Sequence, residues 1–380
     1  MSHSISILKN LIQLNTENPP GKTSEILAWI NNWAKKEKIE SNIQEYEKGK
    51  GNIVLKIGEA DRSILICGHL DTVPLGDRRN WDYDPLGAES IGEYIYGRGS
   101  ADMKGGVAAI LGSLKTLKHR LQQKDLKYNI IFLGTSDEEV GLGGAIASLK
   151  LGILKSCDFL IIPEPTGNKV GIAEKGVLWL SVNSKGVSAH GSTPLKGVNA
   201  IEEMVKLFPY LHEILPKDQH DILGKSTLNI GVFKGGKSAN IVPEEAVIHC
   251  DYRLVPPHQP NEFTYTVEKE INKFARESPA KFTYEVKQTM SAIQTSIHNP
   301  FVKKFIAKAN DHSVIGLDYG TDGAVLVENS PKELPFVIFG PGNPKKIHVA
   351  NERVKTLDVQ AVEEIFTEFL FDVATCGIHL

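Results

Sequence analysis

Side chains able to hold a divalent cation recur at one kind of place in this sequence, just past a short apolar run. Ser63-Ile-Leu-Ile-Cys67 is followed by Gly68-His69-Leu70-Asp71, and Asn129-Ile-Ile-Phe-Leu-Gly134 by Asp137-Glu138-Glu139. Asp158-Phe-Leu-Ile-Ile162 is followed by Pro163-Glu164-Pro165, and Pro335-Phe-Val-Ile-Phe-Gly340 leads into a Gly/Pro-rich loop and His348. Asp102 stands where Gly97-Arg-Gly-Ser-Ala-Asp102-Met-Lys-Gly-Gly106 turns into an amphipathic segment. Imidazole nitrogens and carboxylate oxygens suit zinc, manganese or cobalt. Two metals sharing one carboxylate need about five protein ligands and leave room for a water, which becomes a nucleophile near neutral pH. His69, Asp102, Glu139, Glu164 and His348 can be those ligands, with Glu138 left as general base and Asp71 placed to orient the His69 imidazole. Each also has a plain structural role open to it. Asp102 can cap the following helix, Asp-Glu-Glu can sit at a helix N-terminus, and a His after a strand or a Glu between prolines can be a simple loop residue.

The apolar runs suit strands buried on both faces of a largely parallel, helix-covered sheet. In such sheets ligands bind outside the carboxyl ends of the strands, so these distant residues are expected to meet in one cleft. Val107, Ile110, Leu111, Leu114 and Leu117 predict a helix over 107–117. Ile5–Gln13 and Ser24–Lys36 read the same way, with the turn Asn18-Pro19-Pro20-Gly21 between them. The middle of the chain changes rhythm. Strand 177–187, helix 199–215, strands 226–233 and 245–254, helix 261–277 and strand 281–288 follow one another, a β-α-β-β-α-β order. This reads as a ferredoxin-like domain over 177–290, inserted into an α/β catalytic, metal-binding domain made of 1–176 and 291–380.

The 380 residues suit two or three domains. Lys and Arg number 43 against 46 Asp and Glu, a balance that argues against a nucleic-acid partner. With 41% hydrophobic and 23% charged residues the composition is that of an ordinary globular protein. No apolar run approaches the ~18 residues of a membrane span, and MSHSISILKNL lacks the basic and apolar regions of a secretory leader. Cys67, Cys157, Cys250 and Cys376 are scattered in or near apolar runs, so no disulfide framework is expected and the cytoplasm is the expected compartment.

Gly68-His69-Leu70-Asp71-Thr72-Val73-Pro74, the stretch Tyr96–Gly106 and Asp137-Glu138-Glu139-Val140-Gly141 resemble motifs of the dinuclear zinc amidohydrolases. That family includes acetylornithine deacetylase, succinyl-diaminopimelate desuccinylase, aminoacylase and glutamate carboxypeptidase. The resemblance continues through Glu164-Pro165-Thr166, Gly186–Ser192, Asn240–Pro243, Asp251-Tyr252-Arg253 and Gly320–Gly323 to His348, nearly the whole chain. It implies that Asp102 bridges two metals, that His69 and Glu164 complete one site and Glu139 and His348 the other. Glu138 is then the general base, supported by Asp71 beside His69. It further implies that the inserted domain is a lid that often dimerises. His190 would stabilise the oxyanion, often from the partner subunit, and Asn240 and Arg253 would bind the substrate carboxylate or the oxyanion. Lys175 lies where some desuccinylases carry Arg.

Glu164 in place of Asp leans toward the deacylases and glutamate carboxypeptidases and away from di- and tripeptidases. Thr321-Asp322-Gly323-Ala324 lacks both the Arg of one desuccinylase type and the Thr-Glu-Ala of one deacetylase type, which leaves the acyl group open. The expected protein is a homodimeric hydrolase of a small N-acyl amino acid or peptide, using two divalent ions, zinc first and cobalt or manganese as substitutes. A glutamate-type carboxypeptidase or aminoacylase is the alternative, and a catalytically silent ligand-binding relative the remote one. Two further motifs are set aside. Gly231–Ser238 fits the phosphate-loop pattern but is followed by Pro243 and a strand, not a helix. Gly141-Leu-Gly143-Gly144-Ala145-Ile146 has Ile146 in place of the third glycine of a dinucleotide fingerprint and reads as a Gly-rich helix start.

Overall fold

The computed structural model describes residues 3–378. The chain forms two compact units: one takes in the chain up to Ile172, Thr295–Ile315 and the chain from Thr321 onward; the other takes Ala173–Gln294 and Gly316–Gly320. The second unit therefore starts a few residues before 177, ends a few after 290 and gains the short piece at 316–320. The physical reason lies in pairing. Ala173 and Glu174, at the end of strand Val170–Glu174, pair with Gln294 and Ile293, so the outgoing and returning chains leave the first unit together.

The first unit is built on an α/β sheet whose centre is parallel. Asn129–Thr135, Ser63–His69, Cys157–Ile162 and Phe336–Ile338 lie side by side in that order, all parallel. Every residue of Ser63–His69 and Asn129–Thr135 is buried, so both faces are covered, as continuous apolar strands require. Antiparallel strands extend the sheet on either side, which composition alone did not foretell. Glu40–Glu47 and Lys50–Ile57 form a hairpin whose two-residue connection permits no parallel crossover. Strand Val170–Glu174 extends the other flank, antiparallel to Phe336–Ile338.

The expected helix over 107–117 runs from Lys104 to Arg120 and packs against the helices Ser4–Gln13 and Thr356–Cys376. Its buried set is Lys104 to Leu114 and Leu117, so it lies almost wholly inside. Gly106 makes its close approach: a Cβ there would lie 2.0 Å from the carbonyl oxygen of Pro163. Glycine thus lets the helix start against the turn that carries Glu164.

In the second unit the strands order as Thr227–Gly235, Glu245–Leu254, Gly176–Lys185 and Lys281–Met290, all neighbours antiparallel. With helices Ala200–Glu213 and Pro260–Glu277 this is the split βαβ order. Alternation explains it. Leu178, Leu180 and Val182 are buried with Ile248, Cys250 and Tyr252 beneath Met204, Leu207, Val267 and Ile271. The intervening Trp179, Asn183 and Lys185 are exposed on the opposite face. Asn199 caps the first of the two helices, its side chain accepting from the N–H groups of Ile201 and Glu202. The stretch after Gly235 runs through a turn into the next strand, so the phosphate-loop pattern at Gly231–Ser238 has no helix behind it. Among the described residues no helix is long and apolar enough to cross a membrane.

Candidate metal centre and active site

His69 is the last residue of its strand, in register with Thr135 on the neighbouring strand, so both loops that follow leave the same end of the sheet. Those loops, with the turn at Glu164 and the segments at Asp102 and His348, bring two groups together: His69, Asp102 and Glu164; and Asp102, Glu139 and His348. Asp102 belongs to both. Its Oδ1 is 3.1 Å from His69 Nε2, and its Oδ2 is 3.0 Å from His348 Nε2. Glu164 Oε1 lies 3.6 Å from the first imidazole and Glu139 Oε2 3.3 Å from the second.

Asp102 and the Asp137–Glu139 run do not take the helix-capping roles open to them. Helix Lys104–Arg120 is N-capped at Met103 with no side-chain cap bond, so Asp102 is free to point at the histidines. Asp137, Glu138 and Glu139 precede helix Gly143–Ser148 in a loop and do not start it. Two loop residues hold left-handed backbone that a side chain adopts rarely, Asp137 at φ +61° and His348 at φ +59°. Such conformations concentrate at functional sites.

The electrostatics favour bound cations. Burial pushes the Glu164 carboxyl well above the usual range, with Asp102 adding to the effect. Burial acts against ionising Asp102, but hydrogen bonds from His348 and His69 hold its carboxyl below the ordinary value. Burial also opposes charging His69, yet its hydrogen bond to Asp102 and the charges of Glu164 and Glu138 carry it well above the usual imidazole range. His348 is pushed up to about 10 by its hydrogen bonds to Asp102 and Glu139. Several carboxylates converge here on two imidazoles, an excess of negative charge that a buried site tolerates only with compensating cations. The imidazole and carboxylate donors are those of a zinc-type ion, and the shared Asp102 suits a pair. The residues present therefore fit two divalent ions.

His69 also shows which nitrogen is available. Its Nδ1 is 2.9 Å from the backbone carbonyl of Asp71, which can only accept, so Nδ1 carries a proton, and Nε2, facing Asp102 and Glu164, is the nitrogen a metal would take in place of its own proton. The support expected of Asp71 thus comes from its carbonyl, while its carboxylate is 3.8 Å from that nitrogen. The carboxylate instead accepts the backbone N–H groups of Glu138 and Glu139 at 3.3 and 3.4 Å. Glu138 is half-buried, and its side chain makes no hydrogen bond or ion pair among the described residues. Burial pushes its carboxyl well above the usual range.

Several residues of this unit escaped the sequence reading. Glu352 Oε1 accepts the N–H groups of Ala101 and Asp102 at 2.9 and 3.1 Å, which sets the backbone of the shared ligand. Arg98 pairs with Glu352 Oε2 at 2.7 Å and donates to the carbonyls of Val349 and Pro74 at 3.2 Å each. Asp322 is buried between Cys67 and Thr135, with burial pushing its carboxyl up to about 6. Arg98 stood in a quoted motif and Asp322 in a stretch read for substrate, but nothing local marked Glu352.

The remaining predicted residues belong to the second unit. His190 and Asn240 are neighbours there: His190 bridges to Ile241, and Gly191 N–H donates to the Asn240 carbonyl at 2.7 Å. The Ser192 N–H donates to His190 Nδ1 at 3.2 Å, which leaves the imidazole proton on the exposed Nε2. Arg253 is paired in fork fashion with Asp251 at 2.8 and 3.1 Å, and Lys175 with Asp318 at 2.8 Å.

Fold and family together define the class, a hydrolase acting on amide bonds. The chain belongs to peptidase family M20/M25/M40, whose model matches residues 65–372. It is 28% identical over 396 residues to a probable succinyl-diaminopimelate desuccinylase of Staphylococcus aureus, covering 96% of this chain and 97% of the other. It is 27% identical over 358 residues to an acetylornithine deacetylase of Aliivibrio fischeri, with 92% and 91% covered. Among solved structures, a tripeptidase from Staphylococcus aureus superposes with a TM-score of 0.79 at 26% identity, covering 97% of this chain and 98% of that one.

Proposed function

We propose that this chain is a metal-dependent hydrolase of the amide bond in small N-acyl amino acids, of the acetylornithine deacetylase and succinyl-diaminopimelate desuccinylase kind. The observation that carries the reading is Asp102, with one carboxylate oxygen toward each of two histidine–carboxylate pairs. His69, Asp102 and Glu164 hold one divalent ion and Asp102, Glu139 and His348 the other, zinc by preference, with cobalt or manganese as substitutes. When bound, such ions acidify a water and polarise the scissile carbonyl. Glu138, the free carboxylate beside both groups, takes the proton of the attacking water. As the C–N bond breaks it passes that proton to the departing nitrogen, giving a carboxylate and an amine. His190, through its Nε2–H, stabilises the oxyanion, while Asn240, Arg253 and Lys175 receive the polar end of the substrate. Four cysteines without a disulfide among the described residues support a cytoplasmic enzyme.

Metal-stripped protein regains hydrolysis of one member of a panel when Zn²⁺, Co²⁺ or Mn²⁺ is added. The panel is N-acetylornithine, N-succinyl-diaminopimelate, N-acetylmethionine, a dipeptide ending in Glu and a tripeptide. Silence on every member under every metal favours the ligand-binding relative. Cleavage of the peptides alone favours a peptidase, the second reading, which the likeness to a tripeptidase supports.

The second unit serves as lid and dimerisation surface in this proposal. Val187, Leu195 and Ile241 are exposed apolar side chains flanking His190, Leu195 fully so. Sedimentation at micromolar concentration is expected to give a homodimer. A fully active monomer at the same concentration sinks that part of the reading.

A further inference from the structure

The loop that carries Glu138 is tied down from behind by a residue whose sequence signal was only that of a turn. Asn18 is buried, its N–H donates to the Thr72 carbonyl at 2.8 Å, and the Thr72 N–H donates to that of Thr16 at 3.0 Å. The turn is thereby laced to the segment just after Asp71. The Asn18 side-chain amide then donates twice, to Asp71 Oδ2 and to Asp137 Oδ1, both at 2.8 Å. Asp71 in turn accepts the backbone N–H groups of Glu138 and Glu139. Asp137, just before Glu138, also takes the Tyr46 hydroxyl at 3.1 Å and the Lys50 ammonium at 3.0 Å.

The two buried carboxylates thus grip the Glu138 segment, one through its backbone N–H groups and one through the preceding residue. The amide joins them. A terminal amide is the side chain with two N–H donors and no charge, which suits a gap between two carboxylates that would otherwise repel. Gly21 seals the arrangement. At φ +71° its absent Cβ would stand 2.6 Å from Asn18 Oδ1 and 2.8 Å from Asp137 Oδ1.

We propose that Asn18 is a positioning residue for Glu138, cross-linking Asp71 and Asp137 so that the base carboxylate is held at its working place. The inference rests on Glu138 acting as the base. A base displaced by about 1 Å can cost 10²-fold in rate. In Asn18→Ala, kcat on the panel member cleaved fastest is expected to fall about 10–100-fold, with KM within about twofold and metal content unchanged. In the metal-free protein, backbone amide exchange over residues 136–143 is expected to speed at least about tenfold while that of helix Lys104–Arg120 holds. The double variant Asn18→Ala/Glu138→Ala is expected to be no slower than Glu138→Ala, because Asn18 acts through that carboxylate.

Additive losses in the double variant, loss of metal, or unchanged exchange overturn the proposal. Unchanged turnover in Glu138→Ala alone overturns the base assignment, and this inference with it. Should Asn18→Ala fail to fold, Tyr46→Phe removes one hydrogen bond to Asp137 and keeps the ring, with an expected fall in kcat of about 3–10-fold. That fall should also vanish in the Glu138→Ala background, and a kcat equal to the parent's overturns the proposal.

Discussion

Replacing Glu138 by alanine is expected to lower kcat by about 10²–10⁴-fold while metal content stays at the parent value. The two halves of this result come from different observations. Metal stays because Glu138 belongs to neither donor group, which are complete with His69, Asp102, Glu164, Glu139 and His348. Turnover falls because Glu138 is the one carboxylate of the loop with no hydrogen bond or ion pair among the described residues, and so the one free to accept a proton. Glu139 beside it is engaged with His348 and with the Val73 N–H at 3.2 Å. Glu138→Gln keeps the shape and removes the basicity, so it should lose as much. Metal analysis beside steady-state kinetics reads both halves. Metal loss together with activity would make Glu138 a ligand, and unchanged kcat would end its role as base.

Asp102→Ala is expected to act on both donor groups at once. Each of its oxygens faces a different histidine, so no single-group defect is available to this variant. Metal content after gel filtration should fall toward zero and hydrolysis to background. A thermal readout separates this from misfolding. An ion present at about 100 times its Kd adds about 2.7 kcal/mol to stability. For a unit of this size that is roughly 5–10 °C in Tm. The parent should show this rise over its EDTA-treated form, and Asp102→Ala should show none while melting cooperatively. His69→Ala should spare part of the metal content, since Glu139 and His348 keep their shared partner. An Asp102→Ala protein that keeps both ions would remove the shared-ligand reading altogether.

Much of the candidate centre was legible in the sequence, for particular reasons. Ser63–His69 and Asn129–Thr135 are buried on both faces, so they had to be written in apolar residues, and the first polar residues after them mark the strand ends. Helix Lys104–Arg120 announced itself by spacing, and the inserted unit by its change of rhythm. The antiparallel flanks were not legible, because pairing direction follows from where each strand's partner lies.

The sequence by itself determined the kinds of donor atom, the loops that carry them and the α/β class of the scaffold. These follow from side-chain chemistry and from periodicity, which are local. The tertiary structure decided how the donors are shared out. It decided that the two oxygens of Asp102 face different histidines, and that the Asp71 carbonyl meets His69 while its carboxylate holds the Glu138 loop. It also decided that Glu352, far along the chain, orients the backbone of Asp102. It turned Asn18 from a turn residue into a bridge between two buried carboxylates. Hydrogen bonds and ion pairs are short and directional. Which partners come within their reach is settled by the path of the folded chain and leaves no mark in the neighbouring residues.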